Sequence, residues 1–533
     1  MRAVAILVCA AASIFAQQAN YSIAGIAVEQ GTKQPLSRAL MIIRTTDGSN
    51  REKACITNTN GAFRFDGIPP GKYILNGELP GKRPQPFHRS GQYVTGIAVG
   101  PGRDSGHIVF TFKRGGTIAG TVTGDDGTPV RYAQVYLFRR GVFAGREAIR
   151  MRGMRNTSAS GRFHFGPLPP GTYFVAVWGQ PWYTRYLPAT ASGDLDMAYP
   201  VTYYADALEP ASATPIMLRE GGGAKIQIVM HAVPAVHVQL ARQTHPPRRG
   251  LFFSLAATGP GGYRIGVAPR TAETKGNWEL TVAPGEYTVR LGSYSGHGRP
   301  DITIRKRISI QSGSDPVIKD EPASSVAGKI TLNPPDKAAG IQVVLSQPSG
   351  RRRAGAVEPD GSFQIAGLAA GNYTVRLTNA GEFQIVRVAA KDAAYEAGVL
   401  KLTPGAQAQL TLVAARAESH VDGIALKDGK PFAGTMILLL PLDGKTDPYV
   451  GRDESDSDGT FSVLHVPNGR YELLAIDDGS DLAYRDPSVM VRYRIGGQMV
   501  NVPVAKGHKL KVKVLSQTEP RPPGSGRDAP SSR

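Results

Sequence analysis

Cysteine is almost missing from this chain: of 533 residues only Cys9 and Cys55 carry a thiol. A disulfide framework is thereby excluded, and every folded unit has to stand on core packing. Beyond the N-terminus no run of apolar residues reaches the length of a helical membrane span, so none is expected in the mature chain. No segment keeps a helical period over a useful length. Histidine is sparse, with 10 residues scattered along the chain. Neither H-x-x-E nor H-E-x-x-H occurs, so the spacing that sets two metal ligands on one element is missing. His231 and His237 share parity on one strand with Pro234 between them, and read as surface residues. G-x-S-x-G is missing too, and Cys55 reads as a small, partly buried hydrophobe with no base beside it. No catalytic, metal-binding or cofactor-binding residue is expected.

Charge of one sign is in short supply: 62 basic residues face 43 acidic ones, for a net +19. The basic runs, Arg139-Arg140, Arg248-Arg249 and Arg351-Arg352-Arg353, are short and dispersed. They match no nucleic-acid-binding module, which excludes specific nucleic-acid recognition and leaves weak attraction to anionic surfaces. The opening MRAVAILVCAAASIFAQQA has one arginine, an apolar core and a small residue before Gln17. It reads as a signal peptide over 1–16, cleaved after Ala16. Val8 stands where a lipoprotein signal has a small residue, so Cys9 is not a lipid-anchoring site. The tail 518–533 is too polar and proline-rich to fold.

What the chain does have is glycine, 63 residues, and proline, 40, and they recur in order. GAFRFDGIPPGKY (61–73) returns as GRFHFGPLPPGTY (161–173), GNWELTVAPGEY (276–287), GSFQIAGLAAGNY (361–373) and GTFSVLHVPNGRY (459–471). Each copy puts an aromatic two places after its first glycine (Phe63, Phe163, Trp278, Phe363, Phe461). Each also puts a tyrosine two places after its last (Tyr73, Tyr173, Tyr287, Tyr373, Tyr471). The spelling describes a corner. A turn opens a strand whose alternate residues face inward, prolines such as Pro69-Pro70 end it, Gly71 permits the bend, and a tyrosine heads the returning strand. By its position that tyrosine suits a tyrosine corner, with the ring packed and the hydroxyl tied to the connection. A second marker precedes four copies: SIAGIAV, TIAGTVT, SVAGKIT and HVDGIAL, centred on Gly25, Gly120, Gly328 and Gly423.

With the strands between and after these markers, each unit holds about seven short strands, the content of two packed sheets. The fold expected is all-β: tandem seven-stranded antiparallel β-sandwiches. The units span 21–115, 116–232, 233–322 (the most divergent), 323–418 and 419–517, with boundaries near 116, 233, 323 and 419. The combined pattern resembles the carboxypeptidase regulatory-like domain, a transthyretin-like or prealbumin-like sandwich, also described as carbohydrate-binding-like. Gly120, Pro129, Ala133, Val135, Leu137, Gly161, Phe163, Phe165, Leu168, Pro169, Pro170, Gly171 and Tyr173 carry the resemblance. It implies tandem sandwiches in an exported bacterial protein and no particular task.

Two departures from the repeat bear on function. DESDSDG (453–459) alternates acids like a calcium loop but has His465 where the closing glutamate belongs. It reads first as a turn, with Asp456 and Asp458 open to opportunistic calcium. Unit two carries an insertion, 179–218, rich in aromatics and prolines. Trp178, Trp182, Tyr183, Arg185, Tyr186, Tyr203 and Tyr204 are the candidate ligand contacts. Flat rings beside polar groups suit sugar recognition, and the alternative is that the insertion folds over its own sandwich or the next unit. The leading expectation is a non-catalytic exported scaffold or adhesion protein of the bacterial cell envelope or exterior, periplasmic, surface-associated or secreted, built as a rod or bent chain. Its partners would be envelope polymers, and proteins docking on exposed sandwich edges. Polysaccharide binding through the insertion is the second reading and a hydrolase the third.

Overall fold

A computed structural model describes residues 21–515 apart from 83, 91–92, 189–190, 242–250, 275–276, 295–299, 313–316, 321, 337, 339, 349, 443–448, 478 and 505–509. The expected signal peptide and tail, Arg248-Arg249 and Gly276 lie outside the described residues. Regular structure is strand almost throughout, in tandem β-sandwiches. One α-helix, Pro487–Arg494, is described; it is capped by Asp486, whose carboxylate accepts the Ser488 amide at 2.9 Å.

In units one, two, four and five the glycine marker lies on a lead strand: Tyr21–Glu29, Gly116–Gly124, Ser324–Asn333 and Ser419–Lys427. The lead strand pairs antiparallel with the corner strand, which is Ala62–Ile68, Arg162–Leu168, Ser362–Leu368 or Thr460–Val466. On its other side it pairs parallel with the strand that closes the unit, Ile108–Phe112, Gly223–Met230, Gln407–Arg416 or Leu510–Leu515. The sandwiches are thus largely antiparallel, as expected, with one parallel pair in each of units one, two and four and two in unit five, where the closing strand also runs parallel to Gly469–Ile476. A crossover between sheets is what lets first and last strands run side by side. The facing sheet is built on the return strand that starts at Gly71, Gly171, Gly371 or Gly469, while in unit four Phe383–Lys391 extends the lead sheet beyond the closing strand.

The two markers of each unit face each other. Gly25, Gly120, Gly328 and Gly423 stand opposite Phe63, Phe163, Phe363 and Phe461 in the ladder. A side chain on any of these glycines would overlap the carbonyl oxygen of Ile108, Ile226, Leu410 or Leu510 on the closing strand. In the last three units it would also overlap the phenylalanine ring. The missing side chain is therefore a packing requirement. Unit three has no such glycine, and there the corner strand Asn277–Val282 lies centrally between Val236–Ala241 and Arg270–Thr274.

Each corner closes as its spelling suggests. The first strand of the opening motif ends at Ile68, before Pro69-Pro70, and the next begins at Gly71. Phe63 and Phe65 are buried while Arg64 is exposed. The five tyrosine hydroxyls donate to the carbonyl four residues upstream: Tyr73 to Pro69 at 2.9 Å, Tyr173 to Pro169 at 2.6 Å, Tyr287 to Ala283 at 2.9 Å, Tyr373 to Ala369 at 2.8 Å and Tyr471 to Pro467 at 2.8 Å. The bond satisfies a carbonyl at the corner, just past the end of the strand.

The units do not string out as a rod. Units two and three share one core, in which Tyr136, Phe138, Phe174 and Tyr203 meet Leu255, Ile265, Tyr287 and Ile308. The long hairpin of unit two, Gln134–Phe143 and Arg146–Asn156, reaches three other units. Phe138 stacks edge-on to Tyr263 of unit three at 5.8 Å, Arg146 donates to the Ala397 carbonyl of unit four, and the Gly145 carbonyl accepts the Arg485 amide of unit five at 3.0 Å. Unit five then touches unit one, so the bend carries the chain back to its start.

Replacing Gly328 by alanine forces the lead and closing strands apart and is expected to cost at least about 2 kcal/mol. Tyr173→Phe, which keeps the packed ring and loses one hydrogen bond, costs about 1 kcal/mol. Urea denaturation of the two variants checks the order; equal losses would rule out the packing role assigned to the glycine.

Candidate functional site

The insertion of unit two divides its aromatic residues between two tasks. The preceding strand ends at Trp178, and from Pro181 a short 3-10 helix, Trp182–Tyr186, follows, pinned by buried Thr184, whose hydroxyl donates to the Pro181 carbonyl at 2.8 Å. The helix turns Trp182 (56% exposed) and Tyr186 (83% exposed) to solvent. Arg185 lies over the ring of exposed Tyr132, 5.7 Å from its centroid. Tyr183 is half-buried and meets Trp182 at 86°. The pair is therefore edge-on, not a flat platform of two rings.

The other candidates face inward. Tyr203 is buried in the core shared with unit three, its hydroxyl donating to the Thr258 carbonyl at 2.9 Å. Trp178 packs against the same core, and Tyr204 against the core of unit two. The seven candidates thus do not converge: Trp182, Arg185 and Tyr186 stand on the surface with Tyr132, half-buried Tyr183 meets Trp182, and Trp178, Tyr203 and Tyr204 are structural. Tyr132 precedes the insertion, and no spacing rule points to it.

Beyond its helix the insertion is stapled to unit three by a polar cluster. Asp196, 8% exposed, accepts from Arg270 on one oxygen and from His237 Nε2, at 2.6 Å, on the other. The remaining ring nitrogen of His237 lies 3.1 Å from Glu279. His237 is therefore not the surface residue that the sequence suggests; its partner Asp196 is remote in the chain and comes to it only because the insertion folds back. His231 does stay exposed, 4.0 Å from Asp125. Burial on its own would lower the His237 pKa, but the two carboxylates, one at each ring nitrogen, raise it above the usual value. Carboxylates at both nitrogens call for a donor at both, which is the imidazolium form.

The acidic loop of unit five is a clasp. Asp456 accepts the Gly96 amide of unit one at 2.9 Å and pairs with Lys72. Ser457 receives the Ala98 amide on its hydroxyl at 2.9 Å and donates its own amide to the Gly96 carbonyl at 2.9 Å. Asp458 accepts from Thr460 at 2.6 Å and faces Arg103 of unit one at 3.3 Å. All four carboxylate oxygens thus meet donors, and among the described residues no group of three acids, histidines or cysteines is placed to hold a metal ion. The turn expected here is present, and its acids join unit five to unit one. Beside it Arg452 pairs with Glu454 at 2.9 Å and lies 4.5 Å from the ring centroid of Tyr93 of unit one. Burial pushes Glu454 up to about 7 against the pull of Arg452.

With that geometry in view, a family model described as the SpaA prealbumin-like fold domain matches residues 22–78. No curated protein matches the chain. Among solved structures it is similar to GBS52, the minor pilin of Streptococcus agalactiae, at 15% identity, covering 43% of this chain and 100% of that one with a TM-score of 0.22. It is also similar to BcpA, the major pilin subunit of Bacillus cereus, at 11% identity over 75% of this chain and 100% of that one, TM-score 0.16. The shaft pilin SpaA of Lactobacillus rhamnosus GG follows at 8% identity over 41% and 100%, TM-score 0.21. A prealbumin-like β-sandwich repeat is the class these features define. The narrower carboxypeptidase regulatory-like family is not shown, and scores this low transfer no role from the pilins.

The cluster at His237 gives stability a pH dependence. A histidine raised in the folded state contributes fully below its unfolded pKa of about 6.5, and the contribution is lost as pH rises through the folded value. Thermal unfolding between about pH 6 and pH 8 is expected to show the wild type losing stability, while His237→Gln starts lower and stays flatter. Parallel curves for the two proteins would remove His237 from the account.

Proposed function

We propose that the protein is a non-catalytic, exported scaffold of the bacterial cell envelope or exterior, made of five sandwich units divided near residues 116, 233, 323 and 419. The observation that carries this reading is the interlocking of the units. The hairpin of unit two engages units three, four and five, and unit five clasps unit one. The marker residues build corners and seams, and the polar clusters at Asp196 and Asp456 fix one unit against another. Such a body presents widely separated surfaces in fixed relation, the requirement for multivalent contact with a polymer or with neighbouring proteins. Small-angle scattering tests it. Asp456→Ala with Ser457→Ala weakens the seam between units one and five by about 2 kcal/mol and should enlarge the radius of gyration. An unchanged scattering curve would mean that the clasp does not hold the closed shape.

Carbohydrate contact through the insertion is a second reading, supported by the exposure of Trp182 and Tyr186 beside Arg185 and Tyr132. A single ring with a neighbouring cation suits one sugar face more than an extended chain. Trp182→Ala and Tyr186→Ala are expected to reduce retention on polysaccharide about tenfold without moving the unfolding midpoint. Retention that ignores both substitutions and disappears in salt would assign the binding to net charge.

A further inference from the structure

One position in the fold recurs in all five units and meets three different surroundings. Leu40–Thr45, like its counterpart in each later unit, pairs on one side with a strand that ends its sheet: Glu52–Ile56, Arg146–Asn156, Arg264–Val267, Arg352–Ala356 or Gly451–Glu454. In unit five this strand is covered by unit one, with Arg452 against Tyr93, and in unit three its Ile265 and Val267 lie in the core shared with unit two. In unit one it is open and its charges are matched: Glu52 pairs with Arg44 at 2.6 Å, and Lys53 donates to the Asp66 and Gly67 carbonyls at 3.0 and 3.3 Å. In units two and four it is open and rich in arginine, with Arg150, Arg152 and Arg155 in one and Arg352 and Arg353 in the other.

In unit two the start of the strand is covered, for a side chain on Gly261 of unit three would overlap the Ile149 carbonyl. Over 151–156 every residue but Gly153 is exposed, and among the described residues no backbone hydrogen bond joins this stretch to anything but its hairpin partner. An edge of this kind offers its outward N–H and C=O groups to an incoming strand. Directly opposed residues share a face. Met151 and Met154, 44% and 42% exposed, thus stand on the face of Phe138 and Tyr136, and Arg150 and Arg155 on the face of Arg139 and Val135. Arg150 lies 4.2 Å from the Phe143 ring centroid and Arg155 donates to the Met154 carbonyl at 3.1 Å, and among the described residues no carboxylate pairs with Arg150, Arg152 or Arg155. Arginine against arginine, together with the irregular register between Leu137 and Phe138, disfavours pairing with a second copy of the same strand. The same charges favour a strand that carries carboxylates. The open edge of unit four has Ala354 and Ala356 in place of methionines and gives such a strand less apolar footing.

We propose that the open edge of unit two, residues 151–156, is a docking site for an extended segment of another protein in which carboxylates alternate with apolar residues. The segment adds as a further strand: its backbone continues the ladder, its carboxylates meet Arg150, Arg152 and Arg155, and its apolar side chains lie on Met151 and Met154. A polypeptide fits better than an acidic polysaccharide because a free ladder is completed by backbone amides. The inference rests on the scaffold reading and supplies that scaffold with a partner.

The test uses the full mature chain and, as probe, a fluorescein-labelled peptide of alternating glutamate and valine, followed by fluorescence anisotropy at neutral pH. Saturable binding is expected, weakening about tenfold between roughly 50 and 300 mM salt. A peptide of alternating lysine and valine should not bind. The glutamate-valine peptide N-methylated at every residue keeps its charge and loses its ladder donors, and should bind at least about tenfold more weakly. Arg152→Glu with Arg155→Glu changes exposed side chains only. It should weaken binding at least about tenfold and leave the unfolding midpoint in place, whereas Arg352→Glu with Arg353→Glu in unit four should bind as the wild type does. The proposal is overturned if the N-methylated peptide binds as tightly as its parent, which would make the attraction one of charge alone, or if the unit-two variant binds as the wild type does. It is overturned equally if no peptide binds, in which case the arginines serve only to keep the edge unpaired. Each of these results leaves the scattering test of the clasp standing, so failure here is distinguishable from failure of the scaffold reading.

Discussion

The close pairing of one glycine with one phenylalanine holds each regular unit in register. Gly120 faces Phe163 across the antiparallel ladder and lies against the Ile226 carbonyl of the parallel strand on its other side. Three strands remote in sequence are fixed at one point, and a slip of one residue would drive a side chain into a carbonyl. Once the corner strand is so placed, its inward Phe163 and Phe165 define the core, and Pro169-Pro170 and Gly171 deliver the chain to the facing sheet. The tyrosine bond then closes the corner. The same sequence of constraints runs in units one, four and five, which is why the motif tolerates Ala-Ala or Pro-Asn in place of Pro-Pro while keeping glycine and tyrosine.

That much was legible because it is local. A hydroxyl reaching four residues back, a two-residue alternation and a strand stopped by proline all fall within one short window, so counting positions is enough. The parallel pairing was not legible: nothing in AKIQIVM says which neighbour it takes, and the glycine that marks the answer reads as a mere interruption of its strand. Unit three shows the same logic in reverse. Without the glycine, its sheet is ordered differently.

The arrangement of the units depends on contacts that no window contains. Asp456 and Gly96 lie 360 residues apart, and a side chain on Gly96 would meet the Asp456 carboxylate. Asp196 and His237 meet only after the insertion folds across to unit three. Yet the sequence does carry a trace of these seams. Leu40–Thr45 of unit one alternates between more and less buried positions, as a strand covered on one face does. Val135–Phe138, Tyr173–Val177 and Met436–Leu440 are buried without interruption. Uninterrupted apolar runs mean strands covered on both faces. The outer cover is unit three over the strands of unit two, and Leu482, Met490 and Tyr493 over unit five.

The split of the insertion follows from the same cause. Proline spacing shows that the segment cannot be core strand throughout, but a tyrosine in an irregular segment is equally able to fill a neighbour's core or to face water. Tyr203 went inward because unit three offers a core and the Thr258 carbonyl offers its hydroxyl a partner. Trp182 stayed outside because the 3-10 helix is anchored through Thr184 and presents its opposite side to solvent. Both outcomes depend on a neighbouring unit and on a one-turn helix, neither of which a residue pattern specifies. In a protein whose parts are individually so regular, the places where repeats depart from the pattern are thus the places where one unit meets another, and any surface chemistry must be sought on the sides of those departures that remain uncovered.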